Sequence, residues 1–433
     1  MKRKVALLKI LLIGFGFFGV SVLWSLYNAD IPIILKSTYG LSYAASGWVM
    51  NLDNILAVTL VPVVGFWSDH TWTRIGRRMP FIVSTMPVGA ILFAIVPWIP
   101  LWMETAASSL AVFVLMLFLV NVCVGISRSP IAALMPDVVP PEERSPANGV
   151  INVVGGCGSL LVYFVVGKVS AGNRPLGFAM ASIAVLVATA VVFLTIHEPR
   201  DALDRQPPRS QRMDFSLLRR LWTPQYHNLL LVCLAIFCWS MAYSAVETFY
   251  PVYMTLEGPS ARSSVEWLVT RSGVETNVKF NLGVLAAAFM VFAIPAGYIG
   301  KALGRKTTII VGLVGVAAMV LLLAFRIVSP VETAVFIAVG FSWALVNINS
   351  LPMVLDMGDL TLIGSLTGIC YLFSQAANIV SPPLVGCIAD IAGGSMSIMF
   401  PYAGVFFALA VVCMLLVRSG DRPGAAPGTA LTL

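Results

Sequence analysis

Charge is scarce in this chain. Asp, Glu, Lys and Arg together supply 11% of its 433 residues while hydrophobic residues supply 58%, a balance that leaves no water-soluble fold able to cover its own apolar surface. Lipid must be the solvent. Histidine is rarer still: His70, His197 and His227 are three in all, they sit in or next to loops, and they offer neither a metal site nor a proton relay. The seven cysteines, Cys123, Cys157, Cys233, Cys238, Cys370, Cys387 and Cys413, fall inside apolar segments without metal-ligand spacing. Packing is their expected role, and no redox chemistry is implied. The sequence holds no phosphate-binding loop, no metal-ligand cluster and no nucleophile elbow, which argues against an enzyme, against a bound cofactor and against transport driven by ATP hydrolysis.

What the chain does have is long apolar runs. A bilayer core is roughly 30 Å thick and a helix rises about 1.5 Å per residue, so about twenty apolar residues are needed to cross it. Twelve runs meet that length: 6–28, 43–67, 80–101, 109–136, 149–170, 176–196, 228–254, 283–300, 307–327, 331–355, 365–388 and 398–418. They lack the alternation of barrel strands, so an all-α, polytopic membrane protein of 12 transmembrane helices is expected. Two connections are longer. The polar stretch 197–227 divides the chain into two sets of six helices, and 256–282 reads as a charged loop carrying Glu257, Arg262, Glu266, Arg271, Glu275 and Lys279. The expected organisation is a six-helix bundle over 1–196, a central loop over 197–227, a second six-helix bundle over 228–418 and a tail over 419–433.

Positive residues are retained on the cytoplasmic side of a membrane. Lys2, Arg3 and Lys4, the Arg74–Arg78 loop, the central loop and the Lys301–Lys306 loop all fall on one side. Both termini are therefore expected in the cytoplasm, with the protein in the cell (inner) membrane and its first run kept as helix 1 rather than cleaved as a signal. The net charge of +7 follows from this asymmetry and gives no reason to expect a nucleic-acid partner. Lipid and a small molecule are the expected partners, and the chain is expected to work as a monomer.

Internal repetition is visible. One offset of 219 residues pairs Pro32 with Pro251, Asn28 with Glu247, Arg128 with Asn347, Asp137 with Asp356 and Gly149 with Gly368. A loop signature recurs as well: Gly65, Asp69, Gly76, Arg77 and Arg78 in the first half, then Gly297, Lys301, Gly304, Arg305 and Lys306 in the second, the Gly65 and Gly297 copies being offset by 232. Two pseudosymmetric six-helix bundles with a site between them near the midplane are what such duplications produce.

With these motifs the chain resembles the major facilitator superfamily. The wide loop Ser68–Phe81, together with Arg128-Ser-Pro130, Pro136-Asp137, Ala245-Val-Glu247 and Trp343 to Asn349, is similar to the sucrose-transporter-like group related to the glycoside–pentoside–hexuronide:cation symporters, in a bacterial-type form. The resemblance implies alternating access and a sugar substrate. It departs at one place: plant sucrose symporters carry an aspartate in helix 4 eight residues before the Gly of a Gly-Pro-x-Arg motif, and here Leu117 stands at that distance from Gly125. The coupling residue must then lie elsewhere, or coupling is absent.

Ionisable side chains inside a bilayer are costly and persist where they pair, hydrate or work. Arg128, about 13 Å from the Asp137 end of helix 4, is expected to bind substrate through its fixed donors. Asp53, within helix 2, and Glu247 are the expected proton-coupling carboxylates, because a carboxyl group that exchanges partners can load and release a proton. Trp24, Tyr27, Asn28, Trp239, Tyr243, Trp343, Asn347, Asn349, Gln375 and Asn378 would supply the aromatic faces and amides that hold a sugar. Asp69, Arg74, Arg77, Arg78 and Asp137, with Lys301, Arg305 and Asp356, are expected to gate the basic end, Asp69 by capping a neighbouring helix and the arginines by bridging to Asp137. The resulting expectation is proton-coupled symport of a di- or oligosaccharide such as sucrose or maltose. The rival is an exporter of amphipathic compounds by proton antiport.

Overall fold

The computed structural model describes residues 7–103, 105–140, 144–198, 223, 226–258, 271–325, 331–357 and 363–418. Twelve helices in it are long and apolar enough to span a membrane. They are α1 (Leu7–Ser37), α2 (Tyr43–His70), α3 (Met79–Trp102), α4 (Ala106–Val138), α5 (Ala147–Val169), α6 (Arg174–Thr195), α7 (His227–Leu256), α8 (Val274–Leu303), α9 (Arg305–Ala324), α10 (Val331–Leu355), α11 (Gly368–Ile391) and α12 (Met396–Leu416). With every backbone group needing a partner inside its own segment, helices are the form such runs take in lipid.

Three boundaries differ from expectation. Helix α1 runs on to Ser37 through Pro32, because the chain after Asn28 stays apolar and buried from Ile31 to Leu35. Helix α2 is broken at Asn51, between Tyr43–Met50 and Leu52–His70. The stretch 256–282, expected to be a loop, is helical from Arg271 onward as the start of α8, and Val274 and Val278 are buried. Its charges had signalled water. The central stretch 199–222 and the tail 419–433 lie outside the described residues.

The chain divides into two compact units. Unit 1 comprises 1–41, 48–207 and 264–283, and unit 2 comprises 42–47, 208–263 and 284–433. The division therefore cuts inside two helices, after Gly47 in α2 and after Gly283 in α8.

In unit 1, α1 packs on α5 and α6, α3 on α4 and α6, and α2 on α4. Its core draws Ile13, Leu26, Phe93, Phe113, Leu117, Ile151, Phe178 and Val185 from α1, α3, α4, α5 and α6. In unit 2 the same pattern recurs six helices later: α7 packs on α11 and α12, and α9 on α10 and α12. A smaller core joins Ala296 of α8 to Ala344 and Leu345 of α10, the counterpart of the α2–α4 contact. Repetition of the pairing scheme is the structural image of the sequence offset. Helix α5 carries one irregularity, a π-helical stretch at Leu161–Val166.

Candidate functional site

Arg128 sits on α4, ten residues short of the helix end at Val138. Its guanidinium carbon lies 5.3 Å from the ring centroid of Trp24 on α1, within cation–π range. Arg128 is solvent-accessible in unit 1, and among the described residues no hydrogen bond or ion pair to it is found. Its donors are unspent. Asn28, one turn beyond Trp24 on the same helix face, is half-buried.

Asp53 is close by. It lies in the first turn of the second α2 segment, is 8% exposed, and is within electrostatic reach of Arg128 and Tyr27. Among the described residues its Oδ1 has no hydrogen-bond partner. The break at Asn51 gives the carboxylate a helix N-terminus to sit against, which favours negative charge. Tyr27 is buried beneath this group, and the side-chain nitrogen of Asn121 on α4 donates to its hydroxyl at 3.2 Å. Asn121 had not been singled out from the sequence; an amide inside an apolar helix was the available signal.

Unit 2 presents a different surface. Tyr243 on α7 and Trp343 on α10 are stacked, with centroids 4.3 Å apart and planes 7° from parallel. Glu247, one turn along from Tyr243, and Asn347, one turn along from Trp343, are both exposed. On α11, Asn378 donates to the Gln375 side-chain oxygen at 3.1 Å, which orients both amides. Trp239 is buried and belongs to the packing of α7.

Asn349 is a correction. It is 3% exposed, its side-chain nitrogen donates to Ala296 O at 3.1 Å and Leu345 O at 2.9 Å, and it lies over Gly300, where any side chain would collide. Both amide hydrogens are used, one tying α10 to Ala296 of α8 and the other bonding back to Leu345 within α10 itself. Two residues separate Asn349 from Asn347, about 200° of helix turn, enough to turn one amide inward and the other outward.

The basic end of unit 1 holds a dense charge cluster. Arg77 is fully buried and Arg78 3% exposed. Arg77 donates to Asp137 through Nε at 2.9 Å and through Nη2. Arg78 shares that carboxylate through Nε at 3.0 Å and also donates to Ser68 and Asp69. Asp69, expected to cap a neighbouring helix, is thus engaged by Arg78. Glu198, which follows α6, accepts the backbone N–H groups of Arg77, Arg78 and Met79 at 2.8–3.2 Å and so caps the start of α3. Gly76, at φ +119°, makes the turn before it, and a Cβ there would fall 2.6 Å from the Glu198 carboxyl. Glu198 escaped the sequence reading because it closes an apolar run and its partners are backbone. Arg74 is exposed and stands outside this cluster.

In unit 2, Gly304 turns the α8–α9 corner with φ +90°, as Gly76 does in the first half. Lys301 is exposed and Arg305 half-buried. The side chain of Asp356 lies outside the described residues.

The Major Facilitator Superfamily model matches residues 13–274. A sucrose transport protein of Arabidopsis thaliana is 25% identical over 209 residues, covering 41% of this chain and 33% of that protein. A candidate niacin/nicotinamide transporter of Bacillus subtilis (strain 168) is 21% identical over 417 residues, covering 92% of this chain and 94% of that one. The solved structure of a mutant of the nucleoside transporter NupG superposes with a TM-score of 0.74 at 14% identity, covering 94% of this chain and 99% of that chain. The chain spans only a third of the sucrose protein's length, whereas the twelve-helix fold is matched end to end. The protein is a polytopic transporter, not an enzyme, and belongs to the Major Facilitator Superfamily.

Proposed function

We propose that this transporter is a proton-coupled symporter of a glycoside, a di- or oligosaccharide such as sucrose or maltose, working by alternating access in the cell membrane with both termini in the cytoplasm. The observation that carries the reading is the state of Arg128: a guanidinium within α4, over an indole face, with no group among the described residues taking its hydrogen bonds. An ionisable side chain within a membrane helix persists where it pairs, hydrates or works. One kept beside an aromatic face has the two features a sugar needs, donors for its hydroxyl rim and an apolar surface for its ring. The Tyr243–Trp343 stack and exposed Asn347 offer the same pair of features from unit 2. The sequence likeness to a sucrose transport protein points the same way.

Asp53 is the coupling carboxylate in this reading, with Glu247 as the second. While Asp53 is charged it draws on Arg128; once protonated it leaves Arg128 to the substrate, so proton and sugar load together. Leu117 occupies the helix-4 position where plant sucrose symporters carry an aspartate, and Asp53, facing helix 4 from α2, takes over that duty. The Arg77–Arg78–Asp137 cluster closes the cytoplasmic end during the outward-facing part of the cycle.

A second reading follows from the near full-length likeness to the candidate niacin/nicotinamide transporter. An aromatic carboxylate would satisfy Arg128 through its carboxylate. Uptake of labelled sucrose into liposomes holding the purified protein, with maltose and nicotinate as competitors, decides between them. Sucrose uptake blocked by maltose supports the glycoside reading. Uptake of nicotinate with none of sucrose replaces it.

A further inference from the structure

We infer that the thiols of Cys238 on α7 and Cys413 on α12 form a two-sulfur site, open to lipid, that takes a neutral thiophilic ligand of the trivalent organoarsenical class. Neither residue has a part in substrate binding or in the basic-end cluster. A cysteine inside an apolar helix packs by default; two that meet, with both sulfurs reachable, can do more. Both lie in unit 2, where α7 and α12 are packed together. Near the end of α7, Tyr253 meets Phe400 near the start of α12, edge to face with ring centroids 5.1 Å apart. About four turns back along α7 and four turns on along α12, that antiparallel register brings Cys238 opposite Cys413. The two thiols are hydrogen-bonded to one another.

A second thiol pair supplies the contrast. Cys233 on α7 is hydrogen-bonded to Cys370 on α11, and the same seam continues through Ser240 and Ser374, whose hydroxyls are 3.2 Å apart, to Ser381, which donates to Met241 O at 2.5 Å. Burial separates the two pairs. Cys233 is fully buried and Cys370 is 7% exposed, so their hydrogen bond belongs to the packing of α7 on α11. Cys238 and Cys413 are both partly exposed. Cys413 lies in the last turn of α12, which ends at Leu416, and the surface of α12 beside it is made by Leu409, Val412, Leu415 and Leu416, each 45–59% exposed. A lipophilic molecule dissolved in the bilayer can reach this pair and not the other.

The surroundings choose the ligand. Holding a divalent metal ion, or exchanging with a disulfide, needs a thiolate, and a charge within the membrane is costly. Trivalent arsenic avoids that cost because its reaction starts and ends uncharged. In the hydrated form of phenylarsine oxide, arsenic carries a phenyl group and two hydroxyls. Each As–O bond gives way to an As–S bond, and each thiol proton leaves with a hydroxyl as water. No electron is transferred, and no oxidant is needed. Once one sulfur is attached, its hydrogen-bonded neighbour faces the same arsenic at high effective concentration, so the second bond follows and α7 is joined to α12.

Intact-mass spectrometry tests this without a transport substrate, so it stands or falls apart from the glycoside reading. The full chain in liposomes is treated with phenylarsine oxide and washed with excess mercaptoethanol, a monothiol that strips arsenic held by one sulfur. The native protein keeps one phenylarsenic group per chain and loses it to the dithiol dimercaptopropanol. Cys238→Ala and Cys413→Ala each lower the retained arsenic by at least about tenfold, whereas Cys233→Ala and Cys370→Ala leave it unchanged. Where one variant of the pair does not fold, the other carries the same test from the opposite helix. No retention by the native chain, retention that survives loss of Cys238 or Cys413, or retention that follows Cys233 and Cys370 instead overturns the site.

Discussion

Unit 1 holds two kinds of arginine, and their difference explains the molecule better than either alone. Arg77 and Arg78 sit at the basic end with their side chains engaged by Asp137, Asp69 and Ser68 and their backbone by Glu198. Arg128 sits deeper along α4 and has a ring beside it but, among the described residues, no acceptor. The first pair is closed upon the protein; the third residue is open to something that is not protein. Under the proposed function, charge satisfied by charge builds a fastening that is broken when the protein moves. Charge left unsatisfied builds a binding handle, because its free energy is realised only when a ligand arrives.

Breaking the closed pair should have the largest effect. Arg77→Ala removes the bidentate partner of Asp137 and is expected to cost about 3 kcal/mol of stability, seen as a marked fall in thermal unfolding temperature in detergent. Arg128→Lys should do the reverse: stability held within about 0.5 kcal/mol, and sucrose affinity, followed by tryptophan quenching, lowered about tenfold. An equal loss of stability in both variants would erase the distinction between them.

The two asparagines of α10 repeat the comparison on a smaller scale. Asn349→Ala should lower stability by about 1–2 kcal/mol, having lost two hydrogen bonds to backbone carbonyls, and leave the KM for uptake unchanged. Asn347→Ala should raise that KM several-fold and leave the unfolding temperature alone. The smallest change is expected for Trp343→Ala, which loses a stacking contribution of about 0.5–1.5 kcal/mol with Tyr243 and should weaken sucrose binding by a comparable factor.

Much of the fold was legible because lipid imposes a simple rule: long apolar runs become spanning helices, and repeats of Gly76 and Gly304 mark equivalent corners. The association of Arg77 and Arg78 with Asp137 was legible too, since paired basic residues at a helix end need a carboxylate. What stayed hidden were the cases where polarity and burial part company. Glu275 and Lys279 looked like loop residues because charge normally signals water, yet each finds a partner on unit 1 and the helix begins around them. Asn349 looked like a substrate ligand because its depth matched Asn347, and only the helix turn between them decides which amide faces inward. Glu198 served backbone N–H groups, which leave no mark in the sequence.

The central claim is that Asp53 and Arg128 load a proton and a sugar together. Its most direct test follows internal pH in liposomes with no imposed gradient, adding sucrose, maltose and other glycosides one at a time to the native protein and to Asp53→Asn. Sugar-specific acidification with the native protein, and sugar entry without acidification in Asp53→Asn, is the result this account predicts. Acidification of equal size in both would remove Asp53 from coupling and contradict it.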